Sequence, residues 1–171
     1  MKRGPFVLVI LICFATLYAQ NQKLSLKETL DWMNTTFPDS STEFEVSEGV
    51  TREFTYIDGQ GNNPPSCTVT LVNLYKLEGK HVTRDTIIDL SLIDPNSIHS
   101  YADTVLEGEG TLTMVAANDK KIILEKFEED GKSDDNPYTS ERVFISFINP
   151  EYAGRFAIAF KNAVSLCGGK N

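Results

Sequence analysis

Histidine is scarce in this chain of 171 residues: His81 and His99 are the only two. General acid–base catalysis and transition-metal binding lean on histidine, whose ordinary pKa lies near neutrality. His81 sits in a Gly-Lys-His turn and His99 follows a loop, and no serine or cysteine nucleophile motif accompanies either. G-x-S-x-G, H-E-x-x-H and a phosphate-cradling glycine loop are all missing, and Gly108-Glu109-Gly110 reads as a turn. A hydrolase using His81 or His99 is therefore the weakest functional reading. The expectation is a non-enzymatic protein with no cofactor.

Cysteine is also sparse, with Cys13, Cys67 and Cys167 and no C-x-x-C. Two separated cysteines and two scattered histidines make no zinc site. Long apolar runs are limited to one. Lys2 and Arg3 precede a run from Phe6 to Leu17, and Ala19, Gln20 and Asn21 follow. Basic, apolar, then small is the layout of a secretory signal peptide, and the run falls short of the roughly 20 residues that span a bilayer. Residues 1–19 are expected to be removed, with cleavage after Ala19; a retained anchor is the competing reading. Ile12 stands where a lipoprotein site before Cys13 needs a small residue.

Export leaves Cys67 and Cys167, an even count that suggests a disulfide in an oxidising compartment. Two buried free thiols are the alternative. The exported chain is expected to be periplasmic or secreted, with no membrane span after signal cleavage.

Positive charge is the third shortage. Sixteen Lys and Arg face 24 Asp and Glu, a net charge of −8. Loss of Lys2 and Arg3 brings the exported chain to −10. Such a surface repels phosphate backbones and anionic lipid, so nucleic acid is not an expected partner. The acidic stretch Glu125, Glu128, Glu129, Asp130, Asp134 and Asp135 departs from EF-hand spacing and reads as a solvated hairpin tip rather than a calcium loop. Asn34-Thr35-Thr36 matches a glycosylation sequon, taken as chance in a chain of bacterial character.

What the chain does have is a clear change of period. Ser25 and Glu28 form an S-x-x-E capping box, and Leu26, Leu30, Met33 and Phe37 share one helical face up to Pro38. From Glu43 the pattern becomes short β-prone runs: 44–46, 53–57, 67–77, 82–93, 98–106, 111–116, 121–127 and 141–148. In the fourth of these, Val82, Arg84, Thr86, Ile88, Leu90 and Leu92 share a face; in the last, Val143, Ile145 and Phe147 do. Asp58–Ser66 and Glu128–Tyr138 read as loops. Pro150 then opens a second helix, with Ala153, Phe156, Ala157, Phe160, Ala163, Val164 and Cys167 at helical spacing and Gly168-Gly169 as its stop.

The expected fold is α+β: about seven antiparallel strands in a β-sandwich or open barrel, capped by the C-terminal helix, with an extra N-terminal helix. The expected divisions are 1–19, signal; 20–42, helix and link; 43–171, β domain with its closing helix. Cys167 at the end of that helix is placed to reach Cys67 at the start of a central strand.

The strands ending in ERVFISFINPEYAGRFAIAFKNAVSLCGG resemble the last strand and closing helix of the pleckstrin-homology-like superfold, over roughly Glu43 to Gly169. The chain is also similar to uncharacterised exported bacterial proteins that open with TLDWMNTTF and close with LCGG. The resemblance implies a fold more than an activity. Phosphoinositide-binding members carry Lys and Arg around the first hairpin loop. Asp58–Ser66 has neither, so no phosphoinositide is expected.

These observations lead to an exported domain that binds a protein, peptide or surface component. Trp32 is its candidate partner contact, against the simpler reading of Trp32 packed at the helix–sheet edge. A carrier for a small apolar ligand in the barrel interior is the alternative, drawn from ten Phe and six Tyr that also suit a plain core.

Overall fold

The computed structural model describes residues 24–42, 48–60, 63–77, 79–103, 108–119, 123–133 and 138–169. The expected signal peptide, Cys13, the run 44–46, Asp134 and Asp135 lie outside the described residues. The expected α+β architecture is present: among the described residues there are two antiparallel sheets and two α-helices.

Helix α1 (Leu26–Ser40) starts at the capping box read from the sequence. The Ser25 hydroxyl accepts from the Glu28 amide, and the Glu28 carboxylate accepts from the Ser25 N–H. Leu30, Met33 and Phe37 are buried as the spacing predicts. The helix does not stop at Pro38 but runs to Ser40. The Ser40 hydroxyl donates to Thr36 O and the Ser41 hydroxyl to Phe37 O, satisfying carbonyls that a helix end leaves open.

Ten strands follow among the described residues, of which seven are four residues or longer. One sheet has the order β1 (Ser41–Thr42), β10 (Arg142–Phe147), β6 (Gly110–Val115), β5 (His99–Ala102). The other has the order β2 (Glu48–Tyr56), β3 (Thr68–Leu77), β4 (Lys80–Asp89), β7 (Ile123–Glu129), β8 (Lys132–Ser133), with β9 (Tyr138–Ser140) also on β7. The order is not a plain meander, because β4 pairs with β7 while β5 and β6 belong to the first sheet.

Several boundaries differ from the sequence reading, two of them for a local reason. The strand expected over 82–93 ends at Asp89, whose carboxylate takes the Ser91 N–H at 3.0 Å and turns Leu90–Leu92 into a short 3-10 helix. The segment read from Glu128 as a polar loop with a solvated hairpin tip is a tight hairpin whose arms pair as strands. Asp130 (φ 47°) and Gly131 (φ 75°) both take positive φ, the demand of a type I′ turn, and β7 pairs across it with β8.

Helix α2 (Pro150–Leu166) begins with Asn149 capping the Tyr152 amide and Pro150 in the first turn. It lies close on β6: a Cβ at Gly110 would stand 2.5 Å from Pro150 Cα, so only glycine permits that approach. It ends at Gly168 in the left-handed region (φ 73°). The Asn162 amide donates to Leu24 O and to Thr29 Oγ1, joining the two helices.

Phe37 of α1 is the hub of the core. Its ring lies 5.9–6.3 Å from those of Phe54 on β2, Phe147 on β10 and Phe156 on α2. Phe147 and Phe156 stand 4.8 Å apart, and Phe54 meets Phe160 edge-on at 6.3 Å. All five rings are buried, so helices and both sheets close around one aromatic cluster.

Candidate functional site

Cys67 and Cys167 are joined by a disulfide, with Cα atoms 5.7 Å apart and 100 residues between them in sequence. Leu90 N–H donates to Cys67 O, and Cys167 N–H to Ala163 O. The bridge therefore fastens the end of α2 to the point where β3 starts and β4 ends.

Trp32 is half-buried rather than presented to solvent. Its ring lies 4.9 Å from Phe156, and the Arg155 guanidinium covers it at 5.3 Å while also reaching Tyr152 at 5.8 Å. It seals the seam between the helices, which is the packing alternative weighed from the sequence.

His81 on β4 and His99 on β5 are exposed and belong to different sheets. The His81 backbone N–H donates to the Asp130 carboxylate. Among the described residues, no three His, Cys, Asp or Glu side chains gather into a metal site. Asn34 is exposed on α1.

Beside the helix seam, Lys27 binds Asp58 at 2.8 Å, and the Tyr56 hydroxyl donates to Asp31. The Asp58 contact raises the Lys27 ammonium above its usual range. The Tyr56 hydroxyl holds Asp31 below the carboxylate range, and burial, then Asp31, pushes the Tyr56 phenol up. This network ties α1 to β2 at an exposed surface.

The concave site lies between the sheets. A cleft of about 330 Å³ has Phe37, Leu71, Val143 and Ile145 as its apolar floor. Its walls come from the strand register. On the inner face of the larger sheet, Phe54, Leu71 and Thr86 stand opposite one another as one row, and the next row is Arg52, Asn73 and Arg84. All three residues of the second row line the cleft. Arg142 reaches it from β10, and Asp103 from the far edge of the smaller sheet, where its carboxylate accepts from the Thr111 hydroxyl at 3.2 Å. Tyr101 and Phe144, both about half exposed, border it.

Arg84 lies 5.5 Å from the Phe127 ring centroid, and Arg142 lies 6.0 Å from that of Phe144, contacts that orient planar guanidinium groups. The lining so described carries three arginines and one carboxylate, a local reversal of sign in a chain of net charge −8.

The sequence reading did not single out this row. Its signal was parity: Arg52 alternates in phase with Phe54 and Tyr56, and Arg84 with Val82, Thr86 and Ile88, so both point to the core side.

Fold and cleft together define a disulfide-bonded α+β domain with a charged crevice between its sheets. No protein-family model, no curated protein and no solved structure matches the chain. Among the described residues, no helix is long and apolar enough to cross a membrane.

Proposed function

We propose that this protein is an exported, non-enzymatic binding domain that holds its ligand in the cleft between the two sheets. The observation that carries the reading is the combination of an apolar floor (Phe37, Leu71, Ile145) with polar walls (Arg52, Asn73, Arg84, Arg142) in one crevice of about 330 Å³. Binding pockets have this composition and a size of roughly 300–1,000 Å³. The signal-like start and the disulfide support export. The separation of His81 from His99 supports a role without catalysis.

The carrier of a purely apolar ligand draws less support. The large aromatic rings pack on one another in the core, and the walls of the cleft carry charge. The pleckstrin-homology likeness contributes the element order, strands then closing helix, and no ligand.

Native mass spectrometry of the full chain, expressed with residues 1–19 and recovered from an oxidising periplasm, tests this. The expected protein is processed near Ala19, is about 2 Da lighter than its reduced form, and carries a reproducible extra mass. Recovery from the cytoplasm with residues 1–19 intact would overturn export. A periplasmic protein without retained mass, and without binding in titrations of the cleft, would overturn the binding role.

A further inference from the structure

We infer that the cleft takes a small organic anion, with a carboxylate or phosphate head on the Arg52–Asn73–Arg84 row and a short apolar body on the floor; this rests on the binding role proposed above. Arg52 and Arg84 flank Asn73 on neighbouring strands. Two strand spacings put their Cα atoms roughly 10 Å apart. Asn73 adds an amide between them. Side chains of that length on one face converge on a group the size of an oxyanion.

Arg52, Arg84 and Asp103 all keep contacts within the fold. A guanidinium has five N–H donors in a planar fork, so one that is held in place still offers an N–H edge. Holding it also removes part of the ordering cost of ligand binding. The preference for an anion follows from donor chemistry: guanidinium groups carry N–H donors and no acceptor, and three of them line the cleft.

The preference for a small amphipathic molecule follows from size and floor. At roughly 30 Å³ per water, the cleft holds about ten waters. Two rows away from Arg84, Val69 and Ile88 are buried. A phosphate or carboxylate alone would leave the floor of Phe37, Leu71 and Ile145 wet. A benzene-sized body would cover it.

The test is titration of the full, disulfide-bonded protein with benzoate, phenyl phosphate and benzyl alcohol, followed by calorimetry and amide chemical shifts. Arg52→Gln and Arg84→Gln serve as variants, with circular dichroism confirming their fold. Both anions should bind at least about tenfold more tightly than the alcohol, and each variant should lose about tenfold or more, the scale of a hydrogen bond to a charged group. The tighter of benzoate and phenyl phosphate identifies the head group. If Arg84→Gln does not fold, Arg52→Gln and the ratio of anion to alcohol in the unaltered protein still decide. Benzyl alcohol binding as well as benzoate would overturn the anion assignment while leaving a binding cleft. No binding of any probe up to about 10 mM, weaker than roughly 3 kcal/mol, would overturn the inference; a retained mass seated elsewhere would then preserve the binding role alone.

Discussion

Two rows of side chains lie side by side on the inner face of the larger sheet and differ in how far they are covered. Phe54, Leu71 and Thr86 are buried, Phe54 against Phe37 and Phe160 of the helices, Leu71 and Thr86 beneath the cleft. One step along the same strands, Arg52, Asn73 and Arg84 are only half-buried and face the cleft. The boundary is set by where α1 and α2 reach. Phe37, near the end of α1, packs on the aromatic core and also lines the floor of the cleft. The closed end should therefore carry most of the stability, and the open end most of the recognition.

The largest test of that division is Phe156→Ala. Phe156 is fully buried and touches Trp32, Phe37 and Phe147. Its truncation should cost about 3–5 kcal/mol, read from the midpoint of denaturant unfolding. A cost no greater than that of a cleft arginine would break the comparison.

Next is the disulfide, which belongs to the closed end. Replacing Cys67 and Cys167 together by alanine should lower stability by about 2–4 kcal/mol. The bridge closes a stretch of 100 residues, so most of the effect should arise through a less restricted unfolded chain. The same pair of substitutions should leave benzoate binding within about twofold, since neither sulfur lines the cleft. A parallel loss of binding would show that the two ends are coupled.

At the open end the sign of the result matters more than its size. Arg84→Met keeps a long apolar stem and removes a half-buried charge. It loses the contact with Phe127, worth about 0.5–1 kcal/mol, together with the guanidinium's other contact within the fold, and gains by no longer desolvating a guanidinium. Stability should stay within about 1 kcal/mol of the unaltered protein. A loss matching that of Phe156→Ala would mean that the arginine row is structural.

The closed end was the more legible of the two in the sequence. The Ser25–Glu28 box, the Leu30–Met33–Phe37 stripe and the Phe156–Phe160–Val164 stripe are local signals; the box became the cap of α1 and the two stripes became packed helix faces. The Cys67–Cys167 pairing could be read from counting alone. The cleft depends on cross-strand register, which joins Arg52 to residues 21 and 32 positions away and has no local spacing. Charged residues on a strand are ordinarily assigned to solvent, and Arg52 lay just outside the run read as 53–57. Parity with Phe54 was the physical clue. The hairpin tip around Asp130-Gly131 was legible from composition, but the short strand pairing on either side of it was not.

The smallest effect concerns the charge that fixes α1 over the closed end. The Glu28 carboxylate accepts the Ser25 hydroxyl and the Ser25 backbone N–H, at 2.7 and 2.8 Å. Those bonds favour the ionised form and hold the Glu28 pKa below its ordinary value. A carboxylate depressed in the folded state adds stability that is complete above its unfolded pKa, about 4.3. That contribution disappears as pH falls through the lower folded value. Asp31, lowered chiefly by the Tyr56 hydroxyl, acts in the same direction. Lys27, raised chiefly by Asp58, contributes below its unfolded pKa and loses that contribution only in strong alkali, so it leaves the acid limb unchanged. Glu28→Gln keeps a side-chain oxygen for the capping box and removes the titration. The fall in denaturation midpoint between pH 7 and pH 3 should therefore be smaller in Glu28→Gln than in the unaltered protein, with Asp31 accounting for part of what remains. An unchanged fall would assign the acid sensitivity away from Glu28, and Asp31, held by the Tyr56 hydroxyl, would be the next carboxylate to replace.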